Sequence, residues 1–324
     1  MKFRSSSREV RITLSELDRH TEVDRQVSTL SKPLLSILIL THNDSKYLDG
    51  CLCSIRDHVS CLYEVVLVDN GSAENQCEYF AQRYPWIRVI RSDKNLGFNA
   101  GNNLAAKNAL GKYILLLNID TVLLTDVVPA VRLLDSNLGI GVVGAKAFGP
   151  SGELRPSAGR FPRAWWLWWF HSLWAKPRSS FGPSQFHGYK ADWVEGSFLM
   201  TSMENWVTLG GFDERGFFFS NDLDFCRSSW ERKLGVVQAS EVRYTHFGGF
   251  GVARMGHLYA GFRCYHRKFS DPVERLMADV VLRVGLLLRI VLYGLSYWLT
   301  RNARAGEKFR SFVEVYRNWA QITP

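Results

Sequence analysis

Three polar clusters in the first 120 residues begin where apolar runs stop. Thr41-His42-Asn43-Asp44 follows Leu35–Leu40, Asp69-Asn70-Gly71-Ser72 follows Tyr63–Val68, and Asn118-Ile119-Asp120 follows Tyr113–Leu117. Further along, Glu195 follows Trp193-Val194. Asn221-Asp222-Leu223-Asp224 opens a stretch of helical spacing, and His246 precedes two glycines. Carboxylates and imidazoles of this kind can hold a divalent cation. No G-x-G-x-x-G follows the first apolar run and no G-x-x-x-x-G-K-[ST] occurs, which disfavours dinucleotide oxidoreductases and P-loop NTPases. A nucleotide could still bind through carboxylates and a metal ion.

The elements that must position these residues alternate. The continuous apolar run Leu35–Leu40 predicts a strand buried on both faces, and Tyr63–Val68, Trp86–Ile90, Tyr113–Leu117 and Ile140–Phe148 predict four more strands. Asp44–His58 and Gly97–Leu110 have helical spacing between them. Strand–helix alternation predicts right-handed βαβ units, an α/β fold with a mostly parallel sheet, and ligands at the carboxyl ends of its strands. Beyond it, Trp193–Thr201 and Val242–His246 predict further strands, Asn221–Leu234 a helix, and the chain from Pro272 onward is helical.

The 324 residues are 46% hydrophobic and 22% charged, which excludes a disordered, collagenous or polytopic membrane chain. The net charge of +9 is unevenly placed. Segments 34–150 and 191–253 are slightly acidic. Segment 151–190 carries 6 basic and 1 acidic side chains, and segment 254–324 carries 12 and 5. That layout does not suit a nucleic-acid-binding domain. The six cysteines include no CxxC pair and are read as reduced, mostly buried thiols of a cytosolic protein. Residues 1–33 are polar, lack the apolar core of a signal peptide, and are read as an N-terminal extension.

The sequence resembles inverting, nucleotide-sugar-dependent glycosyltransferases of the GT-A type, family 2. Within them it is most similar to the rhamnosyltransferase-like branch that builds bacterial surface polysaccharides such as O-antigen. The segments that carry the resemblance are SILILTHND (36–44), EVVLVDNGS (64–72), NLGFNAGNN (95–103), YILLLNID (113–120), WVEGSFLM (193–200), GGFDERGFFFSNDLDFCR (210–227) and VRYTHFGG (242–249). The resemblance implies a GT-A catalytic domain over 34–253. Its nucleotide-sugar half would be 34–150, with a Trp-rich basic insertion at 151–190 and an acceptor half at 191–253.

It further implies a dTDP- or UDP-sugar donor and a divalent metal, Mg²⁺ or Mn²⁺, to neutralise the departing diphosphate. Asp120, in an N-x-D version of the D-x-D motif with Asn118, would reach that metal; capping a helix from Val122 is the alternative. Asp69 would receive the ring N–H of uracil or thymine, or simply be a turn residue. Thr41 would line the same pocket, and Asn95 and Gly97 would bring backbone close to the donor. Asp222 would be the general base, with Asp224 as the fallback and helix-dipole stabilisation as the alternative. Asn221 stands where the family has an acidic residue. His246 would join Asp120 on the metal or touch the diphosphate. Glu195 and Trp193 would lie near the sugar or acceptor, and Asp213 would stabilise a turn.

On a helical wheel, the polar side chains from Arg275 to Thr300 fall within about 140°. The rest of that helix is apolar, and Arg301, Arg304, Lys308 and Arg310 follow it. Residues 254–324 are therefore read as a basic amphipathic helical region lying in a membrane interface. A core helix or a homodimer interface are the alternatives. FPRAWWLWWFHSLW (161–174) supports the membrane reading, with buried packing or sugar stacking as alternatives. Both segments suit a polyprenyl-diphosphate-linked glycan acceptor and a peripheral enzyme on the cytoplasmic face of the inner membrane. The expectation from a different class is a non-catalytic glycan-binding protein that retains the fold.

Overall fold

The computed structural model describes residues 32–73, 77–136, 139–165, 167, 188–215, 220–248 and 255–320. The N-terminal extension and most of the Trp-rich segment 161–174 lie outside the described residues. The first half runs β1 (Leu35–Thr41), α1 (Leu48–His58), β2 (Tyr63–Asn70), α2 (Cys77–Arg83), β3 (Arg88–Ser92), α3 (Gly97–Lys107) and β4 (Tyr113–Leu117). After these come β5 (Thr121–Leu123), α4 (Val128–Asp135), β6 (Ile140–Phe148), β7 (Leu154–Arg155) and β8 (Ala158–Gly159). The second half has β9 (Gly188–Ala191), β10 (Trp193–Val194), β11 (Phe198–Ser202), α5 (Met203–Leu209), α6 (Asn221–Glu231) and β12 (Gly235–His246). Three helices close the chain: α7 (Met255–Phe269), α8 (Pro272–Thr300) and α9 (Ala303–Arg317).

The main sheet has the order β3-β2-β1-β4-β11-β6-β12-β5. Its first four strands are parallel, as are β6 and β12, while β11 enters antiparallel between β4 and β6. Strand order reverses between β1 and β4, and a ligand cleft opens at such a switch, outside the strands' carboxyl ends. The five residues of β4 are all buried, and both sheet faces are covered by separate apolar clusters. Each fully buried Leu, Ile or Val there contributes roughly 1.5–3 kcal/mol. Small residues let α3 press on the sheet: a Cβ at Gly101 would come within 2.6 Å of the Leu40 side chain.

The sequence misplaces four features. The expected Trp193–Thr201 strand is broken into β10 and β11 by Glu195-Gly196-Ser197, where Phe198 N–H turns back to the Glu195 carbonyl at 3.2 Å. The expected short Val242–His246 strand is the end of the 12-residue β12, which holds its length through a register shift between Gln238 and Arg243. The residues after Asp120 form β5 and pair with β12, so Asp120 caps no helix from Val122. The six thiols are unpaired as expected, but only Cys51 and Cys226 are buried.

The C-terminal helices carry a third core, which joins Tyr259, Leu282, Leu286, Phe312 and Trp319 to Leu223 of α6. Asp271 caps α8 by accepting from Val273 and Glu274 N–H, and Pro272 starts it. This helix has two apolar surfaces. Ala278, Leu282, Gly285 and Leu286 are buried against the protein, flanked by Asp279, which pairs with Arg263 at 3.1 Å, and Tyr293, which stacks on Phe312 at 5.6 Å. Its broad apolar arc, including Leu276, Met277, Leu288, Val291, Leu295 and Trp298, faces outward, each of these 43–66% exposed.

Candidate active site

The loops at the carboxyl ends of β1, β2 and β3 are joined by hydrogen bonds. Thr41 and Asp69 are register partners on neighbouring parallel strands and both are buried. The Thr41 hydroxyl donates to the Asp44 carbonyl at 2.6 Å, which folds the β1–α1 loop back. Asp69 accepts from Ser72 N–H at 3.1 Å and holds the turn after β2. Asn70 binds that turn to the segment before α3. Its amide donates to Asn95 Oδ1 and the Gly97 carbonyl, both at 3.1 Å, and its oxygen accepts from Leu96 N–H. Asn95 Oδ1 in turn accepts from Gly97 N–H, and Gly97 sits at φ 81°, where a side chain would be strained.

Asp120 and His246 meet because β5 and β12 pair: Thr121 is the register partner of His246, and Phe247 N–H donates to the Asp120 carbonyl at 2.8 Å. The Asn118 carbonyl accepts from the backbone and hydroxyl of Thr121, which fixes the turn carrying Asp120. Asp120 Oδ1 lies 3.3 Å from His246 Nε2, and His246 Nδ1 lies 3.4 Å from Glu195 Oε1. Burial works against a charge on the imidazole, but hydrogen bonds and attraction from Asp120 and Glu195 outweigh it and raise the group to about 9. At Gly248 a Cβ would overlap Asp120 Oδ2 and come within 2.9 Å of His246 Nε2. The missing side chain keeps a cradle beside these two groups.

Glu195 is placed by the break between β10 and β11. It accepts from the Tyr244 hydroxyl at 3.3 Å, and that hydroxyl also shares a 2.7 Å hydrogen bond with Ser197. The next residue, Gly196, donates its N–H to Asp222 Oδ2 at 3.1 Å, while Leu223 N–H reaches Oδ1 at 2.8 Å. Burial pushes the half-buried Asp222 carboxyl up to about 6, against the pull of those backbone donors and with help from the Glu195 charge. A continuous line of groups thus runs from Asp120 through His246 and Glu195 to Asp222.

Asp224 does not join that line. Both of its oxygens accept from Lys268 of α7, at 2.7 and 2.8 Å. Asp213 lies 3.7 Å from the same lysine and pairs with Arg215, whose hydrogen bonds hold its carboxyl down at about 2. Trp193 donates its indole N–H to the Arg160 carbonyl at 3.0 Å and packs between the second and third cores.

Sequence reasoning missed Tyr244 and Arg155. Tyr244 carried a signal, since it lies two residues before His246 and shares its strand face. Arg155 carried none. It sits in β7, and its Nη1 donates to the carbonyls of His246 and Gly248 at 2.9 and 2.7 Å, clamping the turn that presents the histidine.

Comparison with known proteins shows what the chain is similar to. The profile described as "Glycosyl transferase family 2" matches residues 36–187, a span that contains Asp69 and the Asn118-x-Asp120 turn. The matched span is just under half of the chain, and over it the chain is similar to family 2 glycosyltransferases. The N-acetylglucosaminyl-diphospho-decaprenol L-rhamnosyltransferase of Mycobacterium tuberculosis is 25% identical over 215 residues, covering 59% of this chain and 68% of that one. An uncharacterized glycosyltransferase of Methanocaldococcus jannaschii is 32% identical over 103 residues, 30% of this chain and 36% of its own. Among solved structures, that of GalNAc-T7 with UDP, GalNAc and Mn²⁺ superposes with a TM-score of 0.55 at 18% identity, over 73% of this chain. That of S. aureus TarS superposes with a TM-score of 0.53 at 16% identity, over 90% of this chain. The chain spans about half the length of each of these two structures. The fold is the GT-A fold, a large, mostly parallel sheet flanked by helices with further helices at the C-terminus.

Proposed function

We propose that this chain is a family 2 enzyme that transfers a sugar with inversion from a nucleoside-diphosphate donor to a lipid-linked glycan, with L-rhamnose from a dTDP donor as the favoured sugar. The observation that carries the reading is the line of contacts from Asp120 to Asp222, which joins the carboxylates that this reading assigns to donor and acceptor. The rhamnosyltransferase of M. tuberculosis, named for a decaprenol-linked substrate, supports the donor and acceptor class.

Asp222 is the general base. Its pKa, lifted towards neutrality, gives it more proton affinity than an exposed aspartate while leaving it ionised above pH 6 or so. The Gly196 and Leu223 N–H groups hold its oxygens in one orientation, so the acceptor hydroxyl meets a fixed proton acceptor. Asp224 is neutralised by Lys268 and serves to tie α6 to α7. Asp69, Asn70 and Asn95 shape the donor's base pocket, and Thr41 closes its floor.

The residues fit a divalent cation. A carboxylate oxygen and an imidazole nitrogen stand side by side next to the cradle left by Gly248, and a cation there would displace the proton that Nε2 shares with Asp120. Among the described residues no group of three carboxylate, imidazole or thiol side chains is placed to hold a metal ion, so in this reading the substrate diphosphate would supply the remaining ligands. Asp120 and His246 would hold Mg²⁺ or Mn²⁺, which supplies charge neutralisation to the departing diphosphate. Glu195 orients His246 from its other nitrogen, the usual arrangement for a metal-binding histidine.

Residues 34–253 form the catalytic unit in this reading, and 254–324 hold it to the cytoplasmic face of the inner membrane as a peripheral protein. No helix among the described residues is long and apolar enough to cross a membrane. The outward apolar arc of α8 is the support for interfacial binding. The test is to incubate the purified full chain with Mn²⁺, a panel of dTDP- and UDP-sugars and a polyprenyl-diphosphate-linked acceptor. Wild type should transfer one sugar with inverted anomeric configuration, and Asp222→Asn should not. Absence of transfer or donor hydrolysis across the panel would overturn the catalytic reading in favour of a glycan-binding role.

A further inference from the structure

The corner where α7 turns into α8 holds a cleft of about 370 Å³ that sugar transfer does not use. Its walls are basic. Arg263, Arg267 and Arg275 line it, with Asp279 as the carboxylate among them. Arg263 is committed to the protein: its Nε lies 3.1 Å from Asp279 and its Nη1 donates to the Trp319 carbonyl at 2.6 Å. Arg267 and Arg275 are exposed, and neither has an ion pair among the described residues.

His266 also lines the cleft and is 1% exposed. Its Nδ1 shares a 2.8 Å hydrogen bond with Ser270 Oγ, but its Nε2 has no partner among the described residues. Burial keeps the ring below the ordinary histidine range, against the pull of nearby Glu274, so it is neutral at physiological pH. A buried polar atom without a partner is costly unless a ligand completes it.

Leu276, 65% exposed, forms the outer lip of the cleft and begins the outward apolar arc of α8. A site for an anion thus opens directly onto a surface suited to hydrocarbon.

We propose that this cleft binds the phosphate of an anionic membrane lipid, with Arg267 and Arg275 gripping its oxygens and the acyl chains lying along Leu276, Met277 and Val280. Two features select a bilayer over a protein. The outward arc carries no charged side chain along the helix from Arg275 to Thr300, and a second copy would bring two segments of the same strong positive charge together. The proposal deepens the membrane-facing part of the function above and rests on it.

The test is co-sedimentation of the full chain with vesicles of phosphatidylcholine alone and of phosphatidylcholine with phosphatidylglycerol in a two-to-one ratio. Arg267→Gln/Arg275→Gln should bind the anionic vesicles about 30-fold more weakly than wild type, since each basic charge near the surface contributes about fivefold. Arg56→Gln/Arg132→Gln, with two exposed charges removed from the catalytic unit, should lose less than about threefold. Short-chain phosphatidylglycerol below its micellar concentration should raise the melting temperature of wild type but not of the Arg267/Arg275 variant, and inorganic phosphate should raise neither. Equal losses in the two double variants, or equal binding to both vesicles, would overturn the site. A melting shift with inorganic phosphate alone would make it a soluble-anion site and overturn the lipid. A melting shift with dTDP and Mn²⁺, read on the same samples, reports donor binding separately, so failure of the lipid site and failure of the transferase reading can be told apart.

Discussion

Replacing Asp222 with asparagine should stop transfer and at the same time make the protein harder to unfold at neutral pH. An unperturbed aspartate ionises near 3.8, and burial beside α6 pushes this one up to about 6. Below pH 3.8 the carboxyl is protonated in the folded and unfolded chains alike. Between there and about pH 6 the folded chain keeps a proton that the unfolded chain has lost, so stability falls as pH rises, and above about 6 the full loss is in place. At 1.36 kcal/mol per pKa unit, ionised Asp222 costs about 3 kcal/mol at neutral pH. Asparagine carries no charge to desolvate. It can accept only one of the hydrogen bonds now given by Gly196 and Leu223 N–H, and leaving the other donor unpaired takes back about 1 kcal/mol. The net gain is about 2 kcal/mol, a rise of a few degrees in melting temperature. The assay is thermal unfolding of both proteins at about pH 7.5 and about pH 4. The gap should be open at the higher pH and shrink or reverse at the lower. Transfer, measured alongside, should fall roughly 10²–10⁴-fold. In wild type, kcat/KM should fall about tenfold per pH unit below about 6. A variant less stable than wild type at neutral pH, or one keeping a tenth of the activity, would refute the reasoning.

Asp224→Asn should leave kcat within about threefold of wild type and change stability by less than about 1 kcal/mol, because the burial that raises its carboxyl offsets loss of the Lys268 pair, as urea unfolding would show. Gly248→Ala should displace Asp120 and abolish Mn²⁺-dependent binding of dTDP in calorimetry, with little change in binding of the metal-free nucleotide. Arg155→Ala leaves two carbonyls without their charged donor. It should lower stability by about 1–3 kcal/mol and raise the KM for donor more than it lowers kcat, as initial-rate kinetics with varied donor would show.

The first half was legible in the sequence because its signals are local. A run such as YILLL is buried on both faces only in a central parallel strand, and the polar residue that ends it must lie at the cleft. The second half was less legible because its geometry is made by breaks and shifts. Glu195 and the Gly196 N–H reach the site only because β10 and β11 are separated by three residues, although the surrounding segment reads as one strand. The strand β12 looked short because its register shift interrupts the periodicity before Val242. Arg155 is visible only in three dimensions, since its partners are main-chain carbonyls more than 90 residues away that leave no trace in residue type. Asp222 and Asp224 are indistinguishable as letters at a helix start. Lys268, on a helix of the C-terminal region, tells them apart.

The outward apolar arc of α8 gives this chain two different tolerances to substitution on one helix. Polar changes at Leu288, Val291 or Leu295 touch nothing that folding needs, whereas polar changes at Leu282 or Leu286 open the third core. In a library selected only for a folded product, the outward positions should drift freely toward lysine and glutamate. In one selected for growth or surface glycan they should stay greasy. The difference between those two substitution maps would trace, residue by residue, the part of the molecule whose hydrophobicity belongs to its surroundings rather than to its own core.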